Sequence, residues 1–248
     1  MPIDLFGEKL IRSVPAEEQF TYPVSVVLSL HRERTSALLR ALRTHHVLPA
    51  LCHPWGSESA YRTLLRRAGT PLTVLDVPSP RGTGDLGQRV HALSHLSSVV
   101  VLVPDRTDSA DLLLAGAANV IPRDTDPREL AGRILAERRW LDTRSSPRRP
   151  PPAAPRHGSP RPQRGTQQVL FDILRTTARP WCCHDLCLLL GAADEPMTRR
   201  ALQARIVRLN ERLAPDGISV DCASQWGRTT FRGLTAEPPR EEAPLRPA

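Results

Sequence analysis

Short runs of aliphatic and β-branched residues recur through the first half of the chain, and segments with helical spacing of apolar residues separate them. The runs are VSVVLSL at 24 to 30, VLPALC at 47 to 52, LTVLDV at 72 to 77, SVVVLV at 98 to 103 and NVI at 119 to 121. Runs without polar alternation suit strands that are buried on both faces, and alternation with helices makes the sheet parallel. The sequence therefore predicts an α/β domain at residues 21 to 141, with a five-stranded parallel sheet.

A second constraint is the composition of residues 142 to 165, DTRSSPRRPPPAAPRHGSPRPQRG. Proline, arginine and small polar residues replace the hydrophobic periodicity there, which predicts a linker. A chain of 248 residues is long enough for about two domains of roughly 100 residues each. Residues 1 to 20 and 236 to 248 are expected to be flexible tails, which leaves residues 166 to 235 as the second domain.

Two segments of the first domain resemble the response-regulator receiver family. In VLDVPSP, Asp76 ends the third predicted strand and Pro80 follows four residues later, as in the phosphoacceptor segment of that family. The stretch GAANVIPRDTDPREL, residues 116 to 130, is similar to the family's passage from the fourth helix into the last helix. The resemblance implies a flavodoxin-like receiver fold with Asp76 as the possible phosphoacceptor.

The same resemblance indicates that the phosphorylation site is incomplete. Receivers hold Mg²⁺ with two acidic residues after the first strand, and a cation of this kind needs several oxygen ligands. The positions that carry the acids, the hydroxyl group and the lysine in the family are occupied here by Ser29, Leu30, His31, Val103 and Arg123. We therefore expect a pseudo-receiver that acts independently of phosphorylation, with Arg123 able to pair with Asp76.

A domain of this kind remains useful for dimerisation, for ligand sensing or for docking a partner. The position of the family's switch aromatic holds Val120, which argues against the usual activation movement. In families of this type two copies commonly pair through the fourth helix, fifth strand and fifth helix. The apolar residues there are Leu112, Leu113, Leu114, Leu130 and Ile134. For at least half of them, packing against the sheet is the better interpretation.

The sequence pattern of residues 166 to 234 predicts three helices followed by two short strands. The helices cover 166 to 178, 183 to 191 and 197 to 215, and the strands lie within 217 to 234 around a turn at Gly227. This order is typical of a winged helix-turn-helix domain. In the third helix, Leu202, Ile206, Leu209 and Leu213 recur at helical spacing and leave the arginines on the remaining surface.

The basic third helix with RIVRLNERL, followed by a hairpin that ends in TTFRG, is similar to the OmpR/PhoB type of response-regulator effector domain. The resemblance covers about residues 166 to 234, and the small sheet that opens that domain in the family has no counterpart in the proline-rich segment. It implies DNA contacts by Arg200, Gln203, Ala204, Arg205 and Arg208, with Arg199 on the same basic surface and Arg228 in the wing.

Composition limits the function further. A formal net charge of +8 favours a polyanionic partner. The segment WCCHDLC offers Cys182, Cys183, His184 and Cys187 as possible zinc ligands, but adjacent cysteines on a helix point in different directions, so an apolar helix face is preferred. No apolar run is long enough for a membrane helix, no signal peptide is evident, and the five cysteines have no disulfide spacing.

The sequence therefore predicts a cytoplasmic, sequence-specific transcriptional regulator of the two-component type. Its expected partners are double-stranded DNA, a second copy of the chain and RNA polymerase, with no membrane, metal or cofactor. No phosphate loop or nucleophile elbow is present in the sequence, so catalytic activity is not expected. The alternative is an interaction module that binds a protein or small molecule and whose basic domain docks to a partner.

Overall fold

The computed structural model describes residues 23–30, 35–47, 52–66, 69–79, 85–104, 107–144, 165–177, 179–225 and 228–236. We refer to residues 23–144 as the N-terminal unit and to residues 165–236 as the C-terminal unit. The N-terminal strands are β1 (Val26–Ser29), β2 (Cys52–Pro54), β3 (Leu72–Asp76), β4 (Ser98–Val103) and β5 (Asn119–Pro122). The helices are α1 (Ser36–Thr44), α2 (Glu58–Arg66), α3 (Leu86–Ser94), α4 (Ser109–Leu114) and α5 (Pro127–Arg144).

The five strands form one parallel sheet in the order β2-β1-β3-β4-β5. This is the flavodoxin-like order, which confirms the predicted α/β class and parallel sheet. The chain builds one side of the sheet from β1 to β2 and then returns to place β3 on the other side of β1. The carboxyl ends of β1 and β3 therefore flank the point where open α/β sheets usually bind ligands.

Both faces of the sheet are covered, as the uninterrupted apolar runs predict. Val27, Val74 and Val100 lie in the core on one face, together with residues of α1 and α5. Val26 and Leu75 lie in the core on the other face, together with residues of α2, α3 and α4. Alternate residues of a strand point to opposite faces, so a strand between two helical layers has no position for a solvated side chain.

Two elements of this unit differ from the prediction. Strand β2 pairs with β1 through Cys52–Pro54, although the apolar run at 47 to 52 was expected to form it. Val47 is instead buried after α1, and residues 48–51 lie outside the described residues. Helix α5 begins as expected, with Asp126 Oδ1 accepting from the Arg128 amide at 2.9 Å, but it continues to Arg144 and so enters the predicted linker. Most of that linker, residues 145–164, lies outside the described residues.

The C-terminal unit consists of three helices and a small antiparallel sheet. Its elements are α6 (Thr166–Thr176), β6 (Trp181–Cys182), α7 (Cys183–Leu190), α8 (Arg199–Leu213), β7 (Ile218–Gln225) and β8 (Arg228–Ala236). The strand order is β6-β8-β7, so the sheet has three strands where two were predicted. The additional strand β6 is very short and pairs Trp181 with Phe231.

The two units pack directly against each other and share one apolar core, which includes Leu75 of β3 and Leu186 of α7. Helix α3 packs on α7, and α2 packs on α6. The indole nitrogen of Trp55 donates to the Leu188 carbonyl at 2.8 Å, and both residues are buried. These contacts therefore fix the orientation of the C-terminal helices relative to the N-terminal unit.

A buried arginine and a glycine complete this contact. Arg89 is 2% exposed, and its Nη2 donates to Asp85 at 2.9 Å and to the Ala193 carbonyl at 2.7 Å. Gly56 has a φ of +80°, and a Cβ at this position would lie 2.3 Å from the Gly191 carbonyl oxygen. Glycine is therefore required at position 56 by both the backbone conformation and the close approach of the two units.

Candidate functional site

Helix α8 has one apolar side and one basic side. Its four buried residues are Leu202, Ile206, Leu209 and Leu213. They form the stripe that the sequence predicts. Helix α8 packs against α6, α7 and β7. The residues that α8 exposes to solvent are Arg199, Arg200, Gln203, Val207, Arg208, Glu211 and Arg212. The helix therefore presents a surface with four exposed guanidinium groups and one carboxylate.

Polar contacts at both ends hold α8 in place. Thr198 precedes the helix, and its Oγ1 accepts from the Ala201 amide at 3.2 Å. Near the other end, Asn210 Oδ1 accepts from the backbone amide of Val220 in β7 at 2.8 Å. The side chain of Arg212 bonds to Gln167 of α6. The basic surface is thus carried by a helix whose position is set by the small sheet and the preceding helix.

The hairpin β7–β8 lies beside this helix. Its register pairs Gln225 with Arg228, so Arg228 stands at the first position after the turn and is exposed. Gly227, the predicted centre of the turn, lies outside the described residues. The register shifts between Asp221 and Cys222, which is a β-bulge and increases the local twist of the hairpin.

The structure places the sequence-predicted DNA-contacting residues on α8 and on this hairpin. Arg199, Arg200, Gln203 and Arg208 are exposed on the helix, and Arg228 is exposed on the hairpin. Ala204 and Arg205 are half-buried, so they offer less of their side chains to a partner than the prediction assumed.

The carboxyl end of β3 carries the second predicted site. Asp76 is fully buried, and its Oδ1 accepts from Arg123 Nε at 2.8 Å. The Thr35 hydroxyl donates to Oδ2 of Asp76 at 3.1 Å and lies 2.5 Å from the Ser29 hydroxyl oxygen. The predicted pair of Arg123 and Asp76 is therefore present, with the carboxylate buried and the arginine partly exposed.

The surroundings of Asp76 give it protein partners on both oxygens. Val103 ends β4 and is 3% exposed, so the position of the family's hydroxyl group is filled by a buried methyl surface. Ser29 and Leu30 follow at the end of β1, while His31 lies outside the described residues. A phosphoryl group at Asp76 would have to displace either the guanidinium of Arg123 or the hydroxyl of Thr35.

The cysteine-rich segment is part of the apolar core, as the preferred interpretation of the sequence has it. Cys183 and Cys187 are buried in α7, and Cys182 is half-buried. Burial, with a further contribution from the neighbouring Cys183, raises the pKa of Cys187 to about 12. Because the thiolate is the form that binds metals, this environment opposes ligation by Cys187. His184 is exposed, and its Nε2 lies 2.6 Å from Gln88 Oε1.

A different group of possible metal ligands lies where α3 meets α7. His91 of α3, His95 directly after α3 and Asp185 of α7 each offer one ligand atom, and these atoms lie within 4.8 Å of one another. The Nε2 atoms of the two histidines are 3.4 Å apart. Burial lowers the pKa of His95, and the nearby His91 and Arg179 lower it further while Asp185 raises it.

Sequence reasoning missed this cluster. The signal that was present is the spacing of the two histidines, since residues four apart lie on the same side of a helix. The third member, Asp185, is remote in sequence and joins them only through the packing of α7 on α3.

No protein-family model matches the chain, and no curated protein sequence matches it either. Among the described residues, none of the helices combines the length and the apolar character that a membrane crossing requires.

Proposed function

We propose that this protein is a sequence-specific DNA-binding transcriptional regulator whose recognition helix is α8. The observation that carries the proposal is the exposed basic side of α8, held by its buried leucine stripe beside the β7–β8 hairpin. Three helices followed by a hairpin, with a short strand between the first two helices, suit a winged helix-turn-helix. Such a domain places its third helix in the major groove and its hairpin against the backbone.

The exposed side chains of α8 suit the chemistry of base edges. An arginine can donate two hydrogen bonds to guanine O6 and N7, and a glutamine can bond adenine N6 and N7 in the same manner. Arg200, Gln203 and Arg208 are exposed and are the side chains we assign to base contacts. Arg199 and Arg228, at the start of the helix and on the hairpin, are assigned to phosphate contacts, which position the domain without reading sequence.

The N-terminal unit supports a regulator that does not depend on phosphorylation. Asp76 already has Arg123 and Thr35 as partners, and the end of β1 supplies Ser29 and Leu30 where a Mg²⁺ site needs acidic residues. We assign this pseudo-receiver the role of assembling two copies of the chain and of holding the C-terminal unit against its α2 and α3 helices.

A protein-docking module is the second candidate, and one residue favours it. Val207 is 55% exposed in the middle of the basic side of α8, and an exposed aliphatic side chain suits a protein partner. The same side chain can pack on a thymine methyl group, so Val207 is compatible with a DNA surface as well. The two candidates differ in salt dependence, because only DNA binding releases condensed counterions.

Binding-site selection from random duplexes with the full-length chain tests the proposal. Affinity for the selected site is then measured at several salt concentrations.

Replacing Arg200 or Arg208 with alanine should weaken specific binding by about 1 to 3 kcal/mol each. Arg228→Ala should weaken binding to all sequences alike and reduce the salt slope by roughly 1. Arg139→Ala, at an exposed arginine of α5, is the matched control and should leave binding unchanged. Failure to select any site, or equal binding by all four variants, would refute DNA recognition by α8.

A further inference from the structure

Two histidines lie close together at the end of α3, His91 within the helix and His95 directly after it. His91 and His95 are one helical turn apart, and their Nε2 atoms are separated by 3.4 Å. Zinc binds imidazole nitrogen at about 2.0 to 2.1 Å, and tetrahedral coordination at that distance separates two nitrogen ligands by roughly 3.3 to 3.4 Å. The two nitrogens therefore already stand at the spacing that one tetrahedral ion requires.

The third ligand comes from the other unit. Asp185 lies in the first turn of α7, and its carboxylate oxygen is within 4.8 Å of both imidazole nitrogens. Its carboxylate forms no salt bridge with any residue that the structure describes. Two imidazoles and a carboxylate form a donor set that divalent transition-metal ions favour.

From this geometry we infer that His91, His95 and Asp185 form a binding site for a divalent transition-metal ion, with zinc as the expected ion, between the N-terminal and C-terminal units. Three protein ligands leave one coordination position open, as in zinc sites that bind water or a small ligand. His91 is exposed, so the ion and a fourth ligand can enter from solvent. The site is independent of whether α8 binds DNA.

Because the site lies between the two units, a bound ion should stabilise their packing against each other. Helix α7 packs on α3, and the hydrogen bond from Trp55 to the Leu188 carbonyl also connects α7 to the N-terminal unit; the ion would add a further connection between the two units. An ion that binds only the packed arrangement stabilises it according to its concentration and affinity. Metal should therefore raise the melting temperature through Asp185, and not only through the histidine pair.

Full-length protein without a polyhistidine tag should be titrated with Co²⁺, followed by visible absorption, and with Zn²⁺ in competition with a chromophoric chelator. We expect one ion per chain. His91→Ala and Asp185→Asn should each weaken binding by about a hundredfold or more, because even residues that only orient a ligand contribute roughly 10- to 100-fold to metal affinity. Zn²⁺ should raise the melting temperature of the natural chain more than that of Asp185→Asn at the same concentration.

His184→Ala is the matched control, since it removes a neighbouring imidazole of α7 that is not in the cluster. It should bind metal as the natural chain does. Absence of stoichiometric binding, or full affinity in His91→Ala, would overturn the site. Full affinity in Asp185→Asn would overturn the connection between the two units, because the ion would then be held by α3 alone.

Discussion

Arg123 Nε lies 2.8 Å from Asp76 Oδ1, and this ion pair joins the end of β3 to the residue that follows β5. The carboxylate is fully buried, whereas the arginine is 27% exposed. Removing one member of such a pair is costly, because the other charge stays buried without compensation. Among the described residues, Arg123 and Thr35 thus stabilise the buried carboxylate of Asp76, and the guanidinium compensates its charge.

Arg123→Ala should lower the free energy of unfolding by about 3 kcal/mol, since the Asp76 carboxylate stays buried and, among the described residues, keeps the Thr35 hydroxyl as its one side-chain partner. The double variant Asp76→Asn/Arg123→Ala should recover most of that loss, because no buried charge is left unpaired. Urea unfolding of the natural chain and the two variants measures both effects. Equal stabilities of Arg123→Ala and the double variant would contradict the buried-charge argument.

Acetyl phosphate with Mg²⁺ should not phosphorylate the protein. Both oxygens of Asp76 already accept hydrogen bonds, and the residues at the end of β1 offer hydroxyl and apolar groups instead of the carboxylates that would hold the metal. Phosphate-affinity electrophoresis measures the product, with Asp76→Asn as the control for labelling elsewhere. Stoichiometric phosphorylation that disappears in Asp76→Asn would show that the site is still active.

The parts of the fold that could be predicted are those whose residues repeat with a regular period. The run SVVVLV became β4 with the predicted bounds, and the leucine stripe of α8 is buried as its spacing requires. The periodicity of a segment does not show, however, which other segment it pairs with. Strand β6 exists because Trp181 pairs with Phe231, and a two-residue strand leaves no pattern of its own.

The sequence did not predict the contact between the two units, because residues that are far apart in the sequence form it. Trp55 and Arg89 have no local signal that marks them as an interface, since each donates to a backbone carbonyl of the C-terminal unit that is remote in sequence. Asp185 reaches the histidines of α3 for the same reason. For the basic side of α8 the situation is the reverse: the exposed side of the helix follows from its own buried stripe.

Tyr61 should resist ionisation until the chain unfolds. Burial raises the pKa of its phenol, while the hydrogen bond from the Gly56 amide at 3.3 Å and the charge of Arg89 oppose that shift. An unfolded tyrosine loses its proton near pH 10, so this group destabilises the fold as the pH rises above about 10 and has no effect below it.

The measurement is the difference in tyrosinate absorbance between the natural chain and Tyr61→Phe during an alkaline titration, with circular dichroism recorded in parallel. The difference should stay at zero until the circular dichroism signal reports unfolding. A tyrosinate signal from Tyr61 in the folded chain would contradict the proposed burial. The same variant should lower the free energy of unfolding by about 1 kcal/mol, because the Gly56 amide loses its partner.

Of the five apolar residues predicted for the dimer face, the structure leaves two accessible. Leu112, Leu130 and Ile134 are buried against the sheet, as was expected for at least half of the set. Leu113 is 48% exposed and Leu114 is 86% exposed, both on α4. Adjacent exposed leucines are a natural contact for a second copy of the chain, since pairing removes their apolar surface from water.

Full-length protein should therefore form a homodimer at micromolar concentration, and Leu113→Glu and Leu114→Glu should each convert it to a monomer by placing a charge in the contact. Val207→Glu is the matched control, because it adds the same charge at an exposed aliphatic residue on α8 and should leave the dimer intact.

Dimerisation should also change DNA affinity. Linking two DNA-binding modules raises apparent affinity by about 10² to 10⁴ when both engage. The monomeric variants should therefore lose affinity for a site with two half-sites and retain affinity for a single half-site. Analytical ultracentrifugation and titration of both duplexes measure these outcomes. A natural chain that sediments as a monomer, with and without DNA, would rule out assembly through α4.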